Sequence, residues 1–154
     1  MEHIKQILTN FEIPREDFEF NTLSNGLIND TFLISSKGRE KYILQRINTR
    51  VFSNVEALIN NMDLVLPELH GKGYEKINLS KTKEGETVYR SGGGEVWRLM
   101  NFIAGSQVFN TTRNPEVARE AGRIIGLFHH LLSGFNTSLL KETLPDFHNL
   151  NFRF

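Results

Sequence analysis

Arg46 is the residue whose type and position most directly suggest chemistry in this sequence. It lies near the end of residues 41–47 (KYILQRI), whose apolar and β-branched content predicts a strand. A guanidinium on a strand can hold two phosphate oxygens at once, because its planar fork matches their geometry. Side chains alternate along a strand, so Arg46 shares a face with Leu44 while Gln45 takes the other. A shift of one residue would make Gln45 the inward residue, and both assignments stay open here.

A turn-rich segment, residues 24–30 (SNGLIND), lies between two predicted strands. Gly26 would allow the backbone to approach a phosphate closely or to adopt a positive φ. Asn29 could brace this loop by hydrogen-bonding to backbone groups, as asparagine does in turns. Thr31 could donate its hydroxyl to a phosphate oxygen, although a β-branched side chain also suits a strand for its own sake.

Glu56 has two competing explanations. The apolar stripe of residues 55–69 predicts a helix, and Ser53, three residues before Glu56, matches a capping box at its start. In that case helix capping alone explains why a glutamate stands at position 56. Glu56 could instead form an ion pair with Arg46 and hold the guanidinium in place. Pro67 is expected to kink or end this helix.

Several chemistries are excluded by what the sequence lacks. Its 154 residues include no cysteine, which removes disulfides, thiolate metal sites and a cysteine nucleophile. No GxxxxGK[ST], GxGxxG, GxSxG or HExxH pattern occurs. Eighteen basic residues balance eighteen acidic ones, so we expect no nucleic-acid or membrane partner. The polar N-terminus and the absence of a long apolar run predict a cytoplasmic protein.

The remaining pattern supplies the elements that must position these residues. A short apolar-faced helix at the N-terminus is followed by predicted strands at 18–23, 31–34 and 41–47. Their tight connections suggest an antiparallel meander. After the helix at 55–69, short strand signals return, and the large apolar strand at 95–103 is expected to be central in the sheet.

The clearest helix begins at residues 114–116 (NPE). Asparagine is a preferred N-cap, proline suits the first turn, and glutamate favours the positive end of the helix dipole. Gly134 is expected to end it. Its predicted buried face consists of Val117, Ala121, Ile124, Ile125, Phe128, Leu131 and Leu132.

Strands and helices segregate along the chain, so the fold class is α+β. Their order is that of a protein-kinase-like N-terminal lobe, an antiparallel sheet plus one helix, followed by the first helix of a helical C-terminal lobe. We place the lobe with its hinge at residues 1–103 and the start of the helical lobe at 104–154. Such a lobe would use residues 23–32 as a flap over phosphates and residues 100–103 as a linker that meets adenine.

Five blocks of sequence also resemble a known family. GLINDTFLI, KYILQRINTRVFSNVEALINNM, WRLMNFIAG, EAGRIIGLFHHLL and ETLPDFHN together are similar to N-acetylhexosamine 1-kinases, over about residues 23–149. Those enzymes belong to the aminoglycoside phosphotransferase and choline kinase superfamily. The resemblance implies ATP and Mg²⁺ as cofactors and phosphorylation of the anomeric hydroxyl of an N-acetylhexosamine.

The same resemblance implies a nucleotide site on this chain. It puts Arg46 against the ATP phosphates, with Glu56 as its acidic partner. The backbone carbonyl of Asn101 and the amide of Ile103 would meet adenine, and Met100 would border the pocket. The cofactor-binding residues predicted in this way are Gly26, Asn29, Thr31, Arg46, Glu56, Met100, Asn101 and Ile103.

The resembled enzymes carry their catalytic aspartate and metal ligands in an HxD-type loop and a later aspartate motif, and neither occurs here. His148 superficially suits such a loop, but Asp146 precedes it instead of following. We therefore expect a truncated protein, an isolated domain or a degenerate gene product, inactive alone, with no catalytic residue and no metal ligand. Phe147, Phe152 and Phe154 would lie on a surface exposed by truncation, which could self-associate.

Two other functions stay open at this point. The acceptor could be an aminoglycoside, an amino alcohol or homoserine, because the residues that choose it would lie outside this sequence. Alternatively, the chain could be a non-catalytic binding module that keeps only the fold of the lobe. Nucleotide-dependent stabilisation would separate this last possibility from the kinase.

Overall fold

The sheet at the centre of this fold is seen in a computed structural model, which describes residues 2–24, 26–109, 111–147 and 149–153. Its strands are β1 (Glu19–Leu23), β2 (Asp30–Ser36), β3 (Arg39–Ile47), β4 (Leu79–Ser80), β5 (Tyr89–Arg90) and β6 (Val96–Asn101). They pair antiparallel in the order β1-β2-β3-β6-β4, and β5 also pairs with β6. The strand β6 therefore lies between β3 and the two short strands, in the central position that its apolar sequence predicts.

One face of the sheet is covered by the N-terminal helix α1 (Glu2–Leu8). Its apolar side chains follow a helical spacing, so they reach the sheet together. The buried core on this face consists of Ile7, Leu8, Phe11, Ile34, Leu44, Trp97 and Leu99. Just after the helix, Phe11 forms a β-bridge with Thr82. We call this the α1 face.

The opposite face packs against helix α2 (Val55–Val65). Here Ile47, Val88 and Val96 are buried against the half-buried side chains of Phe52, Val55, Leu58 and Ile59. We call this the α2 face. A short 3₁₀ turn, Leu66–Glu68, follows α2 directly. Pro67 lies in that turn, as expected of a residue that cannot continue an α-helix.

The start of α2 differs from the predicted capping box. Asn54, not Ser53, is the N-cap, and its side-chain oxygen accepts a hydrogen bond from the N–H of Ala57 at 3.0 Å. Asparagine is at least as good a cap as serine, so the adjacent residue takes the position. The capping box of Ser53 with Glu56 is therefore wrong.

The longest helix is α3 (Pro115–Leu131). Its predicted cap is confirmed, since the Asn114 side chain accepts a hydrogen bond from the Glu116 N–H at 2.9 Å. Its predicted buried face is wrong: no residue of α3 is buried among the described part of the chain, and Ile125 is 60% exposed. An apolar stripe shows which face of a helix would pack against another element. It does not show that this element is present.

Contacts between the second part of the chain and the sheet region run through α2 and the loop after it. The side-chain amide of Asn61 donates to the Lys141 carbonyl at 2.7 Å and accepts from the Lys141 N–H at 3.0 Å. Leu131 lies against Gly71, where an added Cβ would approach it within 2.9 Å. The chain then forms a 3₁₀ turn, Thr137–Leu139, and a short last helix, α4 (Leu150–Arg153).

These elements confirm the predicted α+β class, with an antiparallel sheet and helices arranged as in a kinase-like N-terminal lobe. The division at residue 103 stays a prediction. His148 and Phe154, which entered the sequence argument, lie outside the described residues. Within the described ranges, no helix is both long and apolar enough to cross a membrane.

Candidate functional site

The α2 face carries a chain of hydrogen bonds that crosses three strands. Gln45 on β3 lies opposite Thr31 on β2 and Arg98 on β6 in the strand register. Its side-chain oxygen accepts hydrogen bonds from Arg98 Nε at 3.0 Å and Nη2 at 2.7 Å. Its side-chain nitrogen donates to Thr31 Oγ1 at 3.1 Å. Gln45 therefore joins the central strand to the strand that leaves the flap.

This chain continues into the flap, residues 23–32. The Thr31 hydroxyl donates to the backbone carbonyl of Asn29 at 3.3 Å. A Cβ at Gly26 would lie 3.4 Å from that carbonyl and 3.6 Å from the Thr31 hydroxyl, which are ordinary contact distances. The fold itself thus has room for a side chain at Gly26, and the need for glycine depends on the predicted approach of a phosphate.

Asn29 braces the flap, as its residue type predicted. Its side-chain oxygen accepts a hydrogen bond from the Asn48 N–H at 3.0 Å. In return, the Asn48 side chain donates to the Ile28 carbonyl at 3.1 Å. The turn before β2 is thereby fixed to the residue that follows β3.

Arg98 is a half-buried cation on this face. Besides its two bonds to Gln45, its Nη1 lies 2.8 Å from the Met62 sulfur on α2, which is only a weak acceptor. Burial lowers the pKa of the Arg98 guanidinium, because an apolar environment disfavours the charged form. No carboxylate among the described residues pairs with it.

Arg46 lies on the opposite side of the sheet, the α1 face. Its Nη1 donates to Glu95 at 2.6 Å, and its Nε and Nη2 both bind the carboxylate of Asp30. Its guanidinium carbon is 5.9 Å from the centre of the Trp97 ring. Hydrogen bonds from Arg46 and then from His3 lower the pKa of Glu95 to about 2. The hydrogen bonds that Arg46 donates to Glu95 and Asp30 likewise raise the pKa of Arg46.

The predicted ion pair between Arg46 and Glu56 is wrong. Glu56 lies in the first turn of α2 and binds Arg90 on β5. Alternation along β3 turns Arg46 to the α1 face, whereas α2 packs on the other face, where Gln45 points. Gln45, the alternative considered above, points to the α2 face, where Ile47 of the same strand packs against α2. No contact in the chain tests the predicted role of Arg46 in nucleotide binding.

The predicted hinge follows β6. Met100 is buried on the α2 face, opposite Ile43 on β3. The side-chain oxygen of Asn101 accepts a hydrogen bond from the Asn78 N–H at 2.6 Å, so the side chain rather than the backbone carbonyl takes this donor. The Ile103 carbonyl accepts from the Ser106 N–H at 3.2 Å.

The amide of Ile103 stands out in this hinge. Throughout the part of the chain that the structure describes, its N–H donates no hydrogen bond. Ile103 itself is half-buried. An unpaired N–H on a half-buried residue, two positions after a central strand, is a donor that a ligand can use.

Two other features bear on what the site can hold. A cleft of about 580 Å³ lies on the α1 side between α1 and β1, with Phe11 and Phe18 in its wall, and none of the predicted site residues lines it. Within the described ranges, no group of three or more His, Asp or Glu side chains could hold a metal ion.

Arg98 is the residue that sequence reasoning missed. A signal for it existed, since it is the single charged residue inside the apolar run VWRLMNFI. It also lies two positions before Met100, and alternate residues of a strand share a face. Attention to a buried charge in a central strand would have found it.

The antiparallel sheet, with β6 at its centre and helix α2 packed on one face, has the architecture of a kinase-like N-terminal lobe. Residues 19–153 match the model of the phosphotransferase enzyme family. The chain therefore belongs to this family, within the aminoglycoside phosphotransferase and choline kinase superfamily. Membership implies transfer of phosphoryl groups to small molecules, with general use of ATP and Mg²⁺.

Proposed function

We propose that this chain is the ATP-binding part of a small-molecule kinase. The observation that carries the proposal is the unused amide of Ile103, two residues after the end of β6. Adenine presents one acceptor nitrogen beside one exocyclic donor, so it needs a backbone N–H and a backbone carbonyl close together. Ile103 and Asn101 supply this pair in the proposed site.

The geometry of Asn101 supports its carbonyl as the acceptor. Its N–H already donates to the Asn78 carbonyl at 3.1 Å, while the Asn78 N–H is held by the Asn101 side chain. This leaves the backbone carbonyl of Asn101 for a ligand. Met100 would border the adenine on the α2 face.

The flap would cover the phosphates. Gly26 permits close approach, Thr31 offers a hydroxyl, and Asn29 keeps the turn in place through Asn48. Arg46 and Glu56 have other partners, so in this proposal they support the lobe rather than touch the nucleotide. The nucleotide face is then the α2 face, which carries Gln45.

We further propose that the acceptor is the anomeric hydroxyl of an N-acetylhexosamine. The blocks YILQRIN and ETLPDFHN, which are the most specific parts of the resemblance, support this choice. An aminoglycoside, an amino alcohol or homoserine is the alternative acceptor. The cytoplasm, where ATP is available, is the expected compartment.

Nucleotide binding is tested by calorimetric titration of the 154-residue chain with adenosine and with 1-deazaadenosine. The second ligand lacks the acceptor nitrogen that would meet Ile103, so we expect it to bind at least tenfold more weakly. Ile103→Pro removes the same N–H from the protein and should abolish the difference between the two ligands. Equal binding of both ligands to the native chain would rule out the hinge.

A non-catalytic module predicts a different result. Such a chain would remain folded and show no change in its thermal midpoint with adenosine or ATP at millimolar concentration. Acceptor choice is tested on the complete gene product by ADP release with N-acetylglucosamine, N-acetylgalactosamine, kanamycin, choline and homoserine. Release with kanamycin, choline or homoserine, but not with either amino sugar, would replace the N-acetylhexosamine proposal.

A further inference from the structure

We infer that Arg98 on β6 is the cation that binds the nucleotide phosphates, the role predicted above for Arg46 on β3. This inference rests on the proposed nucleotide site. It concerns a residue outside all the predicted site positions.

The first step is its charge. A half-buried guanidinium is costly unless an opposite charge or strong acceptors compensate it. Arg98 has only neutral partners among the described residues, the Gln45 oxygen and the Met62 sulfur. Its five N–H donors outnumber these three contacts. A bound anion would supply the opposite charge and the additional hydrogen-bond acceptors that Arg98 lacks.

The second step is a comparison with Arg46 on the neighbouring strand. Arg46 is exposed and bound by two carboxylates, Asp30 and Glu95, so the chain itself neutralises it. Arg98 is more buried and has no such partner. Of these two arginines, the uncompensated one is therefore the candidate for an anionic ligand.

The third step is position. Arg98 lies two residues before Met100 on the same face of β6, roughly 7 Å along the strand from the hinge. From its guanidinium, hydrogen bonds lead through Gln45 and Thr31 to the flap carbonyl of Asn29. Arg98 thus lies between the proposed adenine contact and the proposed phosphate flap. A nucleotide that reaches from one to the other would pass it.

The test compares ligands that differ only in their phosphates. We would measure Kd for ATP, ADP and adenosine with the native chain, Arg98→Met and Arg98→Lys. Methionine keeps much of the apolar reach but removes the charge. We expect Arg98→Met to raise the Kd for ATP and for ADP at least tenfold and to leave the Kd for adenosine within twofold of the native value. Arg98→Lys should recover part of the lost ATP and ADP affinity.

A second variant keeps the inference testable if Arg98→Met fails to fold. Gln45→Glu leaves Arg98 in place but gives it an internal carboxylate in the same position. We expect weaker ATP binding, unchanged adenosine binding and an unchanged or higher thermal midpoint. Gln45→Met serves as the matched control, because it removes the hydrogen bond without adding charge and should affect ATP less than Gln45→Glu does.

The outcomes separate the inference from the function on which it rests. If the native chain binds neither adenosine nor ATP, the proposed function fails, and the role of Arg98 fails with it. If the native chain binds ATP but Gln45→Glu and the Arg98 variants bind it as well as the native chain does, only the role of Arg98 is overturned. Equal losses for ATP and adenosine would make Arg98 a structural residue and overturn the inference too.

Discussion

Asn29 and Asn48 tie the flap to the end of β3. The Asn29 side chain accepts the Asn48 N–H at 3.0 Å, and the Asn48 side chain donates to the carbonyl beside Asn29, that of Ile28, at 3.1 Å. The two asparagines are 19 residues apart in sequence. Their reciprocal bonds fix the position of the flap relative to β3 before any ligand binds.

The first prediction concerns this brace. Asn29→Ala leaves the half-buried N–H of Asn48 without its acceptor, and we expect a loss of about 1 kcal/mol in the free energy of unfolding. Hydrogen exchange at the Asn48 amide should also become faster. Asn29→Asp keeps an acceptor oxygen and is the matched control. If Asn29→Asp lowers the free energy of unfolding as much as Asn29→Ala does, the loss of the acceptor oxygen does not explain the effect.

The second prediction concerns the start of α2. Because Asn54 is the cap, Asn54→Ala should cost about 1 kcal/mol in the free energy of unfolding. Ser53→Ala, one residue earlier, should change it by less than about 0.5 kcal/mol, as most exposed substitutions do. Urea unfolding of both variants makes the comparison. A larger loss for Ser53→Ala than for Asn54→Ala would instead support the capping box of Ser53 with Glu56.

The third prediction is a pH dependence on the α1 face. The pKa of Glu95 is held at about 2, below its ordinary value of 4.5, by Arg46, His3 and Trp97. Its stabilising contribution is therefore fully present above pH 4.5 and is lost as the pH falls towards 2. At pH 7, Glu95→Gln should be less stable by about 1 kcal/mol, a figure reduced for solvent screening.

Urea unfolding at pH 7, 4.5, 3 and 2 checks this third prediction. The difference between native chain and Glu95→Gln should shrink towards zero at the lowest pH, where the native carboxyl becomes protonated. Glu84→Gln, in an exposed turn, is the control and should track the native chain. A difference that stays constant from pH 7 to 2 would contradict the account.

The fourth prediction separates the two arginines. Arg46→Ala removes the partner of Asp30 and Glu95 and should lower the free energy of unfolding by about 1 kcal/mol. Its Kd for ATP should stay within twofold of the native value, because Arg46 lies on the α1 face. The measurement is calorimetric titration of native chain and variant. A tenfold loss of ATP affinity with the fold intact would return Arg46 to the nucleotide site.

Alternation along β3 was sufficient to predict that Leu44 and Arg46 share one face and Gln45 the other. It could not show which face meets a ligand, because both faces of this sheet are covered. Ile43 and Leu44 are both apolar, and α1 covers one side while α2 covers the other. A sheet with a single buried face would have shown its inner side in the sequence.

The ion pairs were beyond prediction for a different reason. Arg46 meets Glu95 across 49 residues, and Glu56 meets Arg90 across 34. Such pairings depend on the order of strands in the sheet, which only the tertiary structure fixes. The Asn114 cap of α3, by contrast, rests on a hydrogen bond between residues two apart and was predictable. The residue type of Asn29 indicated a bond to the backbone, but not its partner Asn48, which is 19 residues away.

Trp97 is an intrinsic fluorophore that senses only the α1 face of the sheet. It is the only tryptophan, and it is 1% exposed beneath α1, beside His3 and Arg46. Its fluorescence will therefore report on detachment of the N-terminal helix and on protonation near Glu95. A ligand on the α2 face would reach it only through the sheet, so a silent tryptophan signal during titration would not mean an empty site.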